Sequence, residues 1–129
     1  MRVFLDTNVW VAAFAARGLC EVLLEECLAR HEVLTSALVW KELNATLTRK
    51  LAPTPRVLKE IESLWQTATR VEDPPTSHGE SDARLLKAAR DAGAEFFVTG
   101  DKAILVRGHH GGMPILTPRD MYERLIRGG

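Results

Sequence analysis

Short apolar runs that alternate with longer helical stretches constrain the fold of this chain more than any other feature. The runs at residues 3–5, 33–35, 95–99 and 115–116 are separated by segments with helical periodicity. No hairpin signal joins one run to the next. Strands that alternate with helices form parallel sheets covered on both faces. We therefore expect an α/β fold, a three-layer α/β/α sandwich with a central parallel sheet of four to five short strands.

Capping residues mark where several helices begin. Ser36 is expected to cap a helix that runs to about Leu51, and Pro53 ends it. Thr54 followed by Pro55 predicts the start of the next helix. The apolar residues of that helix predict a continuous buried stripe, and they are Val57, Leu58, Ile61, Leu64, Trp65 and Ala68.

Length, charge and cysteine spacing set the class of protein. A chain of 129 residues is the size of one domain, which we expect to span residues 1–129. The 17 basic and 17 acidic residues balance, so RNA contact would need local patches. Cys20 and Cys27 are separated by about 10 Å on a helix, too far for a disulfide. The apolar run at the start is too short for a signal peptide or membrane anchor, so we expect a cytoplasmic protein.

Four acidic residues are candidates for one site. Asp6 directly follows the first strand, and Asp101 follows the strand at 95–99 after one glycine. Both should therefore lie in the crevice at the carboxyl edge of the sheet. Asp82 begins the helix that leads to that strand, and as a helix-terminus acid it has an ordinary explanation as well. Glu42 falls at the margin of an apolar helix face, with a surface salt bridge to Lys41 or Arg84 as the alternative.

Clustered carboxylates suit a hard divalent cation. Carboxylates and water are the preferred ligands of Mg²⁺ and Mn²⁺, and such ions activate water for phosphodiester hydrolysis. Asn8 and Thr99 are expected to fix the carboxylate rotamers, and Asn8 is also expected to cap the first helix. No Ser-His-Asp or Cys-His arrangement competes with this chemistry.

The order of these motifs resembles the PIN domain family, in particular prokaryotic members assigned as VapC-like toxins of toxin–antitoxin systems. The resemblance spans nearly the whole chain and is carried by Leu5-Asp6-Thr7-Asn8-Val9, Val98-Thr99-Gly100-Asp101-Lys102 and Leu116-Thr117-Pro118-Arg119. It implies cleavage of single-stranded RNA supported by Mg²⁺ or Mn²⁺, with Asp6, Glu42, Asp82 and Asp101 as the catalytic and metal-binding residues. It also implies a homodimer and an antitoxin partner that blocks the site.

The sequence departs from the family pattern in two places. Members of this subgroup often have several acids near Asp82, where this chain has only Glu80 and Asp82 within Gly79-Glu80-Ser81-Asp82-Ala83. Many also have a further Asp at the position of Ala103. One cation is therefore expected, and the number of ions stays open.

Other residues offer RNA or metal contacts with ordinary alternatives. Basic residues could form a phosphate-binding rim near the crevice, although scattered surface charge explains them equally. The leading RNA contacts are Lys41, Arg84 and Lys102, and the other members are Arg49, Lys50 and Arg56. His109 and His110 could contact a metal or a phosphate, but no third ligand is suitably spaced, so a surface loop is the favoured interpretation. The tryptophans are expected in the core or at a dimer contact rather than stacked on bases, and they are Trp10, Trp40 and Trp65.

Two rival functions stay open. A receiver-like phosphoacceptor domain has similar layering but needs paired acids after the first strand, where only Asp6 stands. A PIN-like module that has lost catalysis and serves as a binding partner is the other rival, because of Ala83 and Ala103.

Overall fold

Seven α-helices, one short 3-10 helix (Thr76–His78) and six strands follow one another along residues 1–127, the range that the computed structural model describes. The predicted domain end at residue 129 lies outside that range. The strands are β1 (Arg2–Leu5), β2 (Glu32–Ser36), β3 (Thr69–Val71), β4 (Phe96–Val98), β5 (His109–His110) and β6 (Met113–Leu116). The helices are α1 (Thr7–Ala15), α2 (Leu19–Arg30), α3 (Ala37–Leu51), α4 (Pro55–Trp65), α5 (Ser81–Asp91), α6 (Lys102–Leu105) and α7 (Pro118–Ile126).

The sheet confirms the predicted α/β class, with more strands than expected. Its order is β3-β2-β1-β4-β6-β5, and every neighbouring pair is parallel except β5 with β6. It has six strands rather than four to five. The two unforeseen strands, β3 and β5, lie at the edges, where exposed residues such as Thr69 and His109 leave no apolar run to recognise. His109 and His110 thus form an edge strand, and the prediction of a plain loop there was wrong.

The direction in which successive strands are added across the sheet reverses at β1. Successive strands β1, β2 and β3 move toward one edge, whereas β4 and β6 lie on the other side of β1. Because crossovers between parallel strands are right-handed, connections that run in opposite directions place their helices on opposite faces. The carboxyl ends of β1 and β4 flank the reversal, which is where α/β sheets form a ligand crevice.

The core holds β1 and β4 in place beneath that crevice. Phe4 and Phe97 stack with ring centroids 5.4 Å apart, and neither is accessible to solvent. Helix α3 packs Leu43 and Leu47 into the same core. As predicted, Ser36 caps α3, its Oγ accepting a hydrogen bond of 3.4 Å from the amide of Val39. The rigid core therefore fixes the strand ends and α3 relative to one another.

Helix α4 differs from its prediction. Its only fully buried residue is Trp65, whose Nε1 donates a 2.8 Å hydrogen bond to Oγ1 of Thr35. Val57 is 43% exposed and Leu64 is 40% exposed, so the predicted continuous buried stripe was wrong. Apolar periodicity shows that a helix has an apolar face, but not whether another element covers it.

Both cysteines are free, in agreement with their spacing. Burial is the main cause that raises the pKa of the Cys27 thiol to about 11, so it is an unreactive core group. Across residues 1–127, no helix combines the length and the apolar character that crossing a membrane requires.

Candidate active site

An open cleft of about 670 Å³ lies at the carboxyl edge of the sheet. Its walls come from α1 and α3, and the first turns of α5 and α6 also contribute to it. The lining includes all four predicted acids, which are Asp6, Glu42, Asp82 and Asp101. The tertiary structure thus brings together residues that lie far apart in the sequence.

Asp6 is the most buried of the four acids, with 4% of its surface exposed. It joins the end of β1 to α1 and caps α1, because its Oδ1 accepts a hydrogen bond of 2.8 Å from the amide of Thr7. The prediction that Asn8 caps this helix was therefore wrong. The other oxygen of Asp6, Oδ2, accepts bonds from Nδ2 of Asn8 at 3.0 Å and from Oγ1 of Thr99 at 2.7 Å.

Asn8 and Thr99 tie the ends of β1 and β4 together. Nδ2 of Asn8 also donates to Oγ1 of Thr99 at 3.1 Å, and its Oδ1 accepts from the amide of Gly100 at 2.8 Å. Oγ1 of Thr99 accepts in turn from the amide of Asp101 at 3.0 Å. Each polar atom of the two side chains is used, so the network holds Asp6 in one orientation.

Glu42 is held by a partner that sequence reasoning missed. Oγ1 of Thr7 donates a 2.8 Å hydrogen bond to Oε1 of Glu42, which joins α1 to α3 across the cleft. Within residues 1–127 Glu42 forms no ion pair, so the alternative of a salt bridge to Lys41 or Arg84 is not observed. Thr7 stood inside the Asp-Thr-Asn motif, but its distance from Glu42 could not be inferred without the fold.

Asp101 and Asp82 occupy helix starts on the far side of the cleft. Asp101 caps α6, its Oδ1 accepting from the amides of Ala103 at 2.8 Å and Ile104 at 3.4 Å. Its Oδ2 accepts no hydrogen bond from residues 1–127. Asp82 lies in the first turn of α5, and no described cation forms an ion pair with it.

The carboxylates influence one another electrostatically. Burial raises the pKa of Asp6 from 3.8 to about 6, the hydrogen bonds from Thr99 and Thr7 oppose this rise, and the charges of Asp82 and Glu42 add to it. Partial burial also raises the pKa of Asp82, and Asp101 and Glu42 contribute. Arg107, a cation that sequence reasoning did not single out, partly offsets that rise. The site is therefore short of positive charge.

The four acids have the right donor chemistry for a hard divalent cation, but they are not spaced as the ligands of one. The four side chains offer only carboxylate oxygens, the ligand type that Mg²⁺ and Mn²⁺ prefer. Nevertheless, in the part of the chain that the structure describes, no three His, Cys, Asp or Glu side chains already stand together at the spacing of a metal site. The metal ligands thus stay a prediction, because ligation would require the acids to move closer together.

The leading basic candidates do not line the cleft, and their RNA roles stay predictions. Lys41 and Lys102 are exposed outside it. Nε of Arg84 donates to the carbonyl of Pro74 at 3.0 Å and borders a smaller depression beside Asp82 that also includes Glu80. Lys50, a lesser member of the predicted rim, does line the cleft. Trp10 is fully buried, and the half-buried Trp40 packs on Trp65 with 5.2 Å between ring centroids.

Fold and site together define a class: an α/β domain with an acidic cleft at the point where its strand order reverses. The sequence model of the PIN domain matches residues 2–103. The chain therefore belongs to the PIN domain family. No curated protein sequence matches it significantly.

Two solved structures with the same fold are distant from this chain in sequence. One is from VapBC2 of Rickettsia felis, bound to a DNA fragment from its promoter, with 15% identity, a TM-score of 0.67, and coverage of 91% of this chain and 98% of that chain. Another is PAE2754 from Pyrobaculum aerophilum, with 16% identity, a TM-score of 0.65, and coverage of 98% of this chain and 90% of that chain. At this identity the likeness is one of fold.

Proposed function

We propose that this protein is a metal-dependent endoribonuclease that hydrolyses phosphodiester bonds in single-stranded or structured RNA. One observation supports this most: four carboxylates from four separate elements line a single open cleft, and the most buried of them, Asp6, is held in place by a complete hydrogen-bond network. Membership of the PIN domain family supports the same function.

Asp6, Glu42, Asp82 and Asp101 would hold one Mg²⁺ or Mn²⁺ ion. When bound, that ion supplies a water of lowered pKa and neutralises charge on the phosphate. Asn8 and Thr99 keep Oδ2 of Asp6 directed, and Thr7 keeps Glu42 directed. Ala103, which stands where many members have a further acid, limits the set to one ion in this proposal.

We further propose that the protein is the toxin of a toxin–antitoxin pair, acting in the cytoplasm as a homodimer that a cognate antitoxin inhibits. The fold shared with a chain of the VapBC2 structure and the motif order described above support this assignment.

RNA cleavage with Mn²⁺ tests the nuclease proposal. Labelled single-stranded RNA is incubated with wild type, with Asp6→Asn, and with Glu25→Gln, an exposed acid of α2 outside the cleft. We expect wild type and Glu25→Gln to cleave, and we expect EDTA or Asp6→Asn to abolish cleavage. Equal cleavage by wild type and Asp6→Asn would overturn the proposal.

The same preparation distinguishes the rivals. Binding of Mn²⁺ without cleavage of any RNA would identify a PIN module that has lost catalysis. That module is the second candidate because the acids are not spaced as metal ligands and because Ala103 replaces a further acid. Labelling of an aspartate by acetyl phosphate would identify a phosphoacceptor instead.

A further inference from the structure

The cleft extends past the acids along one face of α3. Glu42, Thr46 and Lys50 all line it, and their spacing of four residues places them in one row on the helix. At 1.5 Å per residue, the row carries Lys50 about 12 Å along the axis from Glu42. The cleft therefore has an acidic end and a basic end.

Beyond Thr7 and Asn8, the wall opposite this row is apolar. Helix α1 contributes Val11, Ala12 and Ala15, and α3 adds Ala45 between the polar residues of the row. Past the hydrogen bond that joins Thr7 to Glu42, the groove between α1 and α3 thus has apolar side chains on the α1 side and the polar groups of the row on the α3 side.

Lys50 is free to bind an anion. It is exposed, it forms no ion pair with any residue from 1 to 127, and it is the one cation among the described residues that line the cleft. Lys50 lies in the last turn of α3, where the helix dipole favours a positive charge. The dipole thus explains why a lysine is tolerated at that helix end. The dipole does not account for its placement in the groove that contains the acids.

We infer that the groove between α1 and α3 binds the RNA strand beside the scissile bond, and that Lys50 contacts a neighbouring phosphate of that strand. The inference rests on the proposed ribonuclease function. The chain has no net charge, so affinity for RNA depends on local cations such as this one. A strand whose scissile phosphate lies at the acids and which follows the groove brings another of its phosphates to Lys50.

Two substrates and two variants test the inference. Lys50→Gln removes the charge in the groove, and Lys59→Gln removes an exposed charge on α4, outside the cleft, as a matched control. On a longer single-stranded RNA we expect Lys50→Gln to raise KM about two- to five-fold, the effect of one exposed ion pair, with Lys59→Gln unchanged. On a dinucleotide, which has no second phosphate, Lys50→Gln should equal wild type. Equal effects of the two variants on the longer RNA, or a Lys50→Gln defect on the dinucleotide, would overturn the inference.

Binding without cleavage separates this inference from the proposed function. Fluorescence anisotropy of labelled RNA in EDTA gives the dependence of affinity on salt. We expect Lys50→Gln to reduce the slope of log affinity against log salt by about 0.7, the contribution of one phosphate contact to a single strand, and Lys59→Gln to leave it unchanged. A reduced slope in a protein that never cleaves RNA would support the groove and reject the nuclease. Cleavage by wild type together with an unchanged slope in Lys50→Gln would reject the groove alone.

Discussion

Oγ1 of Thr99 donates a hydrogen bond of 2.7 Å to Oδ2 of Asp6, a residue 93 positions earlier in the chain. This bond joins the end of β4 to the end of β1 at the point where the strand order reverses. Because the same hydroxyl accepts from the amide of Asp101, one threonine fixes two of the candidate ligands.

Thr99→Val should weaken both the fold and cation binding. The change keeps the shape but leaves Nδ2 of Asn8 and the amide of Asp101 without their shared acceptor. We expect the free energy of unfolding in urea to fall by about 1–3 kcal/mol and Mn²⁺ affinity to fall about 10- to 100-fold. Thr48→Val, on the exposed face of α3, should change neither. Unchanged Mn²⁺ affinity in Thr99→Val would contradict the positioning role.

The stability of the metal-free protein should fall as the pH rises through the titration of Asp6. Its folded pKa of about 6 lies above the ordinary 3.8, so the folded state binds this proton more tightly than the unfolded state does. The resulting stabilisation is complete below about pH 3.8 and is lost by about pH 6, with a limit of roughly 3 kcal/mol.

Urea unfolding in EDTA at a series of pH values measures this effect. Asp6→Asn lacks the titrating group, so wild type should lose stability relative to the variant between those two pH values. Parallel profiles for the two proteins would show that burial does not raise the pKa of Asp6.

Divalent cations should stabilise the protein at neutral pH independently of any RNA. A ligand that binds only the folded state at 100 times its Kd adds about 2.7 kcal/mol. We expect Mn²⁺ to raise Tm in wild type and Glu25→Gln but not in Asp101→Asn. The asparagine retains an oxygen that can still cap α6, as Asp101 does through Ala103, so its loss of response would report the missing charge. A full Mn²⁺ response in Asp101→Asn would remove Asp101 from the ligand set.

Thr7→Val should lower kcat more than stability. Without the hydroxyl of Thr7, Glu42 loses its hydrogen bond and can adopt other rotamers. We expect kcat for RNA cleavage to fall about ten-fold with little change in KM, and Thr7→Ser to restore it. If Thr7→Ser is as impaired as Thr7→Val, the methyl group of Thr7 matters rather than its hydroxyl.

The two apolar helix faces should respond differently to truncation. Leu47 of α3 is fully buried, so Leu47→Ala should cost about 2–5 kcal/mol of unfolding free energy. Leu64 of α4 is 40% exposed, and Leu64→Ala should cost less than about 1 kcal/mol. Comparable losses in urea unfolding would show that α4 is covered in solution.

The sequence by itself determined the layered α/β fold, the capped start of α3 at Ser36 and the positions of Asp6 and Asp101. These features depend on local rules: apolar runs form strands, side-chain oxygens cap helices, and residues that follow parallel strands share one edge of the sheet. Family membership was accessible for the same reason, because its motifs are contiguous.

Only the tertiary structure decided which groups meet. The contact of Thr7 with Glu42, the approach of Asp82 to Asp101 and the exposure of Leu64 depend on how helices pack around the sheet. Helical periodicity gives the face on which a residue lies but not the element opposite it. For that reason the sequence supplied the four acids, whereas the fold decided that they line one cleft and that Lys50 lies at its other end.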